Sequence, residues 1–164
     1  MRSVGRIYDQ MNLTLLEFLR CGKIPGLEIG MTQQEVASAL GVPEDIGCVS
    51  HKHPQPAIFK YGNLQLFFNR SDQPTLTCIY VESSAAAGDF TLPSLFSSDW
   101  APIFGMSRAE VIDYLVKNGL SSVVTTIAEI ESLTVASSGV QIGFDEGHVW
   151  CLSASSRQDT HPLG

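Results

Sequence analysis

The sequence predicts an α+β fold: a tandem repeat of two units, each a short capped helix packed on an antiparallel sheet of three to four strands. Two internal echoes carry that expectation. The phrase Gly30-Met31-Thr32-Gln33-Gln34-Glu35-Val36, closing at Leu40, returns as Gly105-Met106-Ser107-Arg108-Ala109-Glu110-Val111, closing at Leu115. Downstream, Leu64-Gln65-Leu66-Phe67-Phe68 is echoed by Val140-Gln141-Ile142-Gly143-Phe144. Composition agrees: with 44% hydrophobic and 16% charged residues, the chain has apolar material for a packed core and too little charge for disorder. Units of roughly 75 residues bury a limited core each, so a shared interface is expected.

Residues 1–24 place Ile7, Met11, Leu15, Phe18 and Leu19 at helical spacing, with Gly22 as the stop. This helix has no counterpart in the second unit and reads as an added cap. The first repeat spans 25–83. Thr32 followed by Glu35 forms a capping box, in which the hydroxyl accepts from the N3 amide and the carboxylate reaches back to the cap amide. Val36, Ala37 and Leu40 supply the apolar stripe, and Gly41-Val42-Pro43 ends the helix. A loop rich in Gly, His and Pro covers Glu44 to Pro56. Three strands follow, Ala57 to Tyr61, Leu64 to Phe68 and Leu76 to Val81, with a tight hairpin at Gly62-Asn63.

Residues 84–99, small, polar and punctuated by Pro and Ser, read as the linker. The second repeat, 100–155, restates the plan: a box of Ser107 with Glu110, a stripe of Val111, Ile112, Leu115 and Val116, and a stop at Asn118-Gly119. Its strands are Leu133 to Ala136, Val140 to Phe144 and His148 to Ala154, with a further short strand near Val123 to Ile127. The tail, 156–164, lacks an apolar pattern and reads as mobile.

Strand alternation turns Leu64, Leu66 and Phe68, with Val140, Ile142 and Phe144, toward the helices. Gln65 and Phe67, opposed by Gln141 and Gly143, face away. An antiparallel sheet with helices on one side leaves the other open, and aromatic residues there supply contact area at low entropic cost. Phe59, Tyr61, Phe67, Tyr80 and Trp150 are therefore the candidate partner-binding residues, while Trp100 is assigned to the core.

The net charge of −7, from 17 acidic and 10 basic residues, disfavours nucleic acid and is compatible with a basic protein partner; the other reading is that mild acidity keeps the chain in solution. No stretch approaches the roughly 20 apolar residues of a membrane span. Asp9, Gln10, Asn12 and Glu17 interrupt any export signal, so the expected compartment is the cytoplasm. Cys21, Cys48, Cys78 and Cys151 form no CxxC pair, and Cys78 and Cys151 match between the repeats as buried free thiols. Cys48, His51 and His53 share one loop and are the only cluster with ligand or nucleophile chemistry. A structural zinc site wants four ligands, usually with paired spacing, so no metal, cofactor or catalytic residue is assigned. Glu129 and Glu131 flank Ile130 at strand spacing and read as carboxylates of an exposed strand edge.

The run Gly30-Met31-Thr32-x-x-Glu35-Val36-x-x-x-Leu40-Gly41-x-Pro43, followed by short antiparallel strands, resembles the SmpA/OmlA-type domain of small outer-membrane lipoproteins. Two such units in tandem resemble β-lactamase inhibitory proteins, over about residues 25 to 155. The second unit ends Leu115-Val116-Lys117-Asn118 in place of Leu-Gly-x-Pro. The resemblance implies a binding protein without catalysis that uses its open sheet face or rim loops. Together with the acidity, it points to an inhibitor or immunity protein neutralising a basic toxin or enzyme. The other readings are a small metal-binding protein or enzyme centred on the Cys48-His51-His53 loop, and a structural or oligomerisation domain.

Overall fold

Helix starts are specified by one local chemistry used three times. In the computed structural model, which describes residues 12–47, 51–52, 54–83 and 89–155, a capping box opens each α-helix: α1 (Leu15–Cys21), α2 (Gln33–Leu40) and α3 (Arg108–Lys117). The Thr32 amide donates to Glu35 Oε2 at 2.8 Å and the Glu35 amide to Thr32 Oγ1 at 3.3 Å. Ser107 and Glu110 repeat this at 2.7 and 3.3 Å. The box of Thr14 with Glu17 had gone unread in the sequence; it starts α1 at Leu15, and Ile7 and Met11 lie outside the described residues. Gly22 closes α1, as expected.

The strands are β1 (Asp45–Gly47), β2 (Ile58–Tyr61), β3 (Leu64–Phe68), β4 (Leu76–Glu82), β5 (Ser122–Ile127), β6 (Ile130–Val135), β7 (Gln141–Asp145) and β8 (His148–Ser155). All pair antiparallel in one eight-stranded sheet of order β1-β2-β3-β4-β8-β7-β6-β5. The chain is thus α+β, with a continuous sheet where two sheets side by side had been expected. The seam is the β4–β8 pair, with Ile79 opposite Ala154 and Val81 opposite Leu152. All four are buried, so the apolar faces of the two halves run on without a break, and each half covers an edge the other would leave bare.

β1 falls inside the segment expected to be loop. Glu129 is a hairpin turn residue, not a strand residue: Ala128 and Glu129 have φ of 49° and 68° between Ile127 and Ile130. Of the expected linker, residues 84–88 lie outside the description, and 89–99 form a packed strap. The Asn63 amide donates to Thr91 O at 2.7 Å and the Thr91 amide to Asn63 Oδ1 at 2.8 Å. The strap passes so close to Gly62 that a side-chain carbon there would lie 2.6 Å from Thr91 O.

Phe18 and Leu19 of α1, Val36 of α2, and Val111 and Leu115 of α3 join the inward residues of the sheet in one buried cluster. Trp100 is fully buried, as expected; its Nε1–H donates to Leu13 O at 2.9 Å, and its ring meets Phe18 and Phe96 at 5.2 and 4.9 Å. The C-terminal end of α1 docks on the β6–β7 turn, where Ser138 Oγ donates to Leu19 O at 2.7 Å. Among the described residues, no helix is long and apolar enough to cross a membrane.

Candidate functional site

Cross-strand partners share a face, so the registers sort the five aromatic candidates. Phe59 stands opposite Leu66 and Tyr61 opposite Leu64, which puts both on the helix-covered side. Phe59 is 8% exposed and packs on Phe68 at 4.9 Å; Tyr61 is 5% exposed and donates its hydroxyl to Gly41 O at 2.9 Å. The reading of these two as partner contacts is therefore corrected: they are core residues. The two-residue turn at Gly62-Asn63 carries the signal, because it sets Tyr61 opposite Leu64 and so on the same face.

Phe67 and Tyr80 do lie on the helix-free face. Phe67 pairs with Cys78, and Gln65 with Tyr80. The Phe67 and Tyr80 rings meet edge to face at 5.8 Å and 82°, each half-buried. Beside them Gln65 Nε2 donates to the Glu82 carboxylate, which holds an otherwise buried amide in place. Across the seam Tyr80 stands opposite Ser153, and Glu82 opposite Cys151.

Trp150 reaches the surface by a different device. Gly143 pairs with Cys151 and the next residue, Phe144, with Val149, so Trp150 is the extra residue of a β-bulge. It is 39% exposed, and its carbonyl accepts from the Ser83 amide at 2.7 Å. The first half has the same irregularity: Phe67 pairs with Cys78 and Phe68 with Leu76, leaving Thr77 as the extra residue.

Two half-buried thiols sit in this face. Burial pushes the Cys78 thiol up to about 11, and the neighbouring Cys151 thiol adds to the shift. Burial also raises Cys151, against the pull of hydrogen bonds from Tyr80 and the Gly143 amide. Burial above all, then the bond with Cys151, drives the Tyr80 phenol far above its usual range. At neutral pH these three groups are protonated, so they offer hydrogen bonds and contact area and no ready nucleophile. The sequence had marked Cys78 and Cys151 only as matched core thiols; the β4–β8 pairing, a long-range fact, brings both to the aromatic face.

The loop reading finds less. His51 is exposed, while Cys48 and His53 lie outside the described residues. Among the described residues no group of three or more His, Cys, Asp or Glu side chains is placed to hold a metal ion. Next to His51 a cleft of about 370 Å³ opens between that loop and the β3–β4 turn, with Lys52, Gln55, Asn69, Arg70 and Asp72 around it. Glu131 pairs with Arg108 of α3 at the surface and so serves the packing of helix on strand.

No family model matches the chain, and no curated protein matches it. Among solved structures the chain is similar, at 11% identity and a TM-score of 0.34, to an extracellular protein containing a SCP domain from Bacillus anthracis. That likeness covers 96% of this chain and 50% of the other, so the chain spans half of that structure's length, and it carries no statement about fold or function.

Proposed function

We propose that this chain is a non-catalytic protein-binding module that docks a basic protein partner, as an inhibitor or immunity protein does, through the helix-free face of its sheet. The observation that carries the reading is the edge-to-face pair of Phe67 and Tyr80 on that face, with the bulged Trp150 exposed on β8, the strand next to that of Tyr80. Aromatic anchors of this kind dominate the energy of protein interfaces. The acidity of the chain, −7 overall, supplies attraction toward a cationic partner and faster encounter. A cytoplasmic role belongs to the same proposal.

The plan of the molecule supports a tandem duplication as its origin. The Gly30 amide donates to Leu76 O and the Leu76 amide to Met31 O, both at 2.8 Å. In the other half the Gly105 amide donates to Val149 O at 3.4 Å and the Val149 amide to Met106 O at 2.9 Å. Matched lead-ins, matched caps and matched bulges support two units of one design, with the open face among the places where they differ.

The test is binding to the product of the adjacent reading frame, followed by calorimetry at low and high salt. Wild type should bind more weakly as salt rises. Phe67→Ala with Trp150→Ala should weaken the complex at least tenfold while the melting temperature stays nearly unchanged. A double variant that melts far lower would assign both rings to the core, and one that binds as tightly as wild type would move the interface off this face.

A further inference from the structure

The two ends of the sheet are finished differently. At one end β1 is three residues long and begins with Asp45, whose carboxylate turns back to accept from the Ile46 amide at 2.9 Å. A short strand with a charge is how proteins blunt an edge against further pairing. At the other end β5 is six residues, Ser122-Val123-Val124-Thr125-Thr126-Ile127, with no charge, no proline and an uninterrupted register to β6 from Ser122 to Ile127. Among the described residues β5 has no outer neighbour. Val123 is 60% and Val124 50% exposed, and Ile130 on the next strand is 66% exposed. Such an edge is a template for one more strand.

We infer that the occupant is a second copy of this chain, with β5 pairing antiparallel to β5 across a two-fold axis normal to the sheet. Self-pairing is what this strand suits. An axis through Val124 sets Val124 opposite Val124 of the second copy, Val123 opposite Thr125 and Ser122 opposite Thr126. Each pair joins residues of the same parity, so the helix-covered and open faces both continue into the second copy. Every pairing is β-branched or hydroxylated, and none sets like charges together. Two charge pairs near this end are internally matched, Arg108 with Glu131 and Lys117 with Asp113, and the further charge, Glu129, sits in the β5–β6 turn beyond the strand itself, while each chain carries −7. The remaining repulsion is screened beyond about 8 Å at physiological salt. The interface is independent of the open-face reading and leaves that face free on both copies.

Sedimentation equilibrium of the full chain should show a reversible monomer–dimer exchange with a dissociation constant on the order of 10–100 µM, about −5.5 to −7 kcal/mol, as for a weak contact. A chain that stays monomeric throughout that range overturns the proposal. Val123→Lys with Thr125→Lys places lysine opposite lysine and should weaken the dimer at least tenfold, as should Val123→Glu with Thr125→Glu. An equimolar mixture of the two variants should recover a heterodimer tighter than either variant alone. Amide hydrogen exchange of the wild-type chain tests the same point without any substitution: protection in β5 should rise with protein concentration while β3 is unaffected. Exchange in β5 that is independent of concentration, or a dimer undiminished in both charged variants, places the contact elsewhere.

Discussion

The two halves of the sheet have a capped helix and a bulged strand in common and differ in the side chains on the helix-free face. Thr77 and Trp150 hold the same place, the extra residue of a bulge. Thr77 spends its hydroxyl locally, donating to Phe67 O at 3.1 Å, whereas Trp150 carries an indole into solvent. Opposite Cys78 stands Phe67; opposite Cys151 stands Gly143. Caps, bulges and inward side chains are common to both halves because each is needed to start a helix, bend a strand or fill the core. The helix-free face carries no such demand, and that is where the halves part.

The sharpest way to break the comparison is at Gly143. A side-chain carbon there would lie 2.6 Å from Cys151 Sγ, so the sulfur occupies the space that Phe67 keeps for itself in the other half. Gly143→Ala must turn the thiol away from Tyr80, at an expected cost of about 1–2 kcal/mol by chemical denaturation. In a Cys151→Ala background the obstruction is gone and the same substitution should be nearly neutral. An equal cost in both backgrounds would show that the backbone, not the sulfur, excludes a side chain.

What could be read from the sequence follows the range of the interaction. Both helix caps, the hairpin strands and the burial of Trp100 were legible, because each rests on a few neighbouring residues or on simple alternation. The capping box of Thr14 and Glu17 was equally local and was passed over only because it lies outside the repeated phrase. The single sheet was not legible: pairing Val81 with Leu152 is a choice between edges far apart in the chain, and alternation does not name the partner. The site divides in the same way. Phe67 was placed on the open face by alternation along its own strand, and the register of β3 with β4 puts Tyr80 there too. Phe59 and Tyr61 were misplaced because a face must be carried across a hairpin through its register, and the two-residue turn supplied that register. Trp150 reached the surface through a bulge, which breaks the very alternation used to place it.

A smaller effect tests where the halves should agree. Thr32→Ala and Ser107→Ala each remove the side-chain acceptor for an N3 amide, so each should cost about 1 kcal/mol. The two caps serve different helices, and their costs should add in the double variant. A loss confined to one cap would show that only that helix is held chiefly by its own terminus, with the other fixed by packing.

The smallest expected effect separates the same two caps by pH. Hydrogen bonds from Thr32 hold the Glu35 carboxyl below its ordinary range, and those from Ser107 do the same for Glu110. A carboxyl depressed in the folded state stabilises it above the unfolded carboxylate value, about 4.3, and that contribution is lost as pH falls through the folded value. Glu35→Gln and Glu110→Gln keep a neutral acceptor and do not titrate. The melting-temperature gap between wild type and each variant should therefore be full at neutral pH and close as the solution is made more acid than that range. Only Glu110 has a further influence, since the charged form of His148 lowers it as well. The Glu110→Gln gap should accordingly be smaller in a His148→Ala background, whereas the Glu35→Gln gap should be the same with or without His148. A Glu110→Gln gap that is indifferent to His148 would mean that the imidazole does not reach the cap, leaving the two caps alike in their charges.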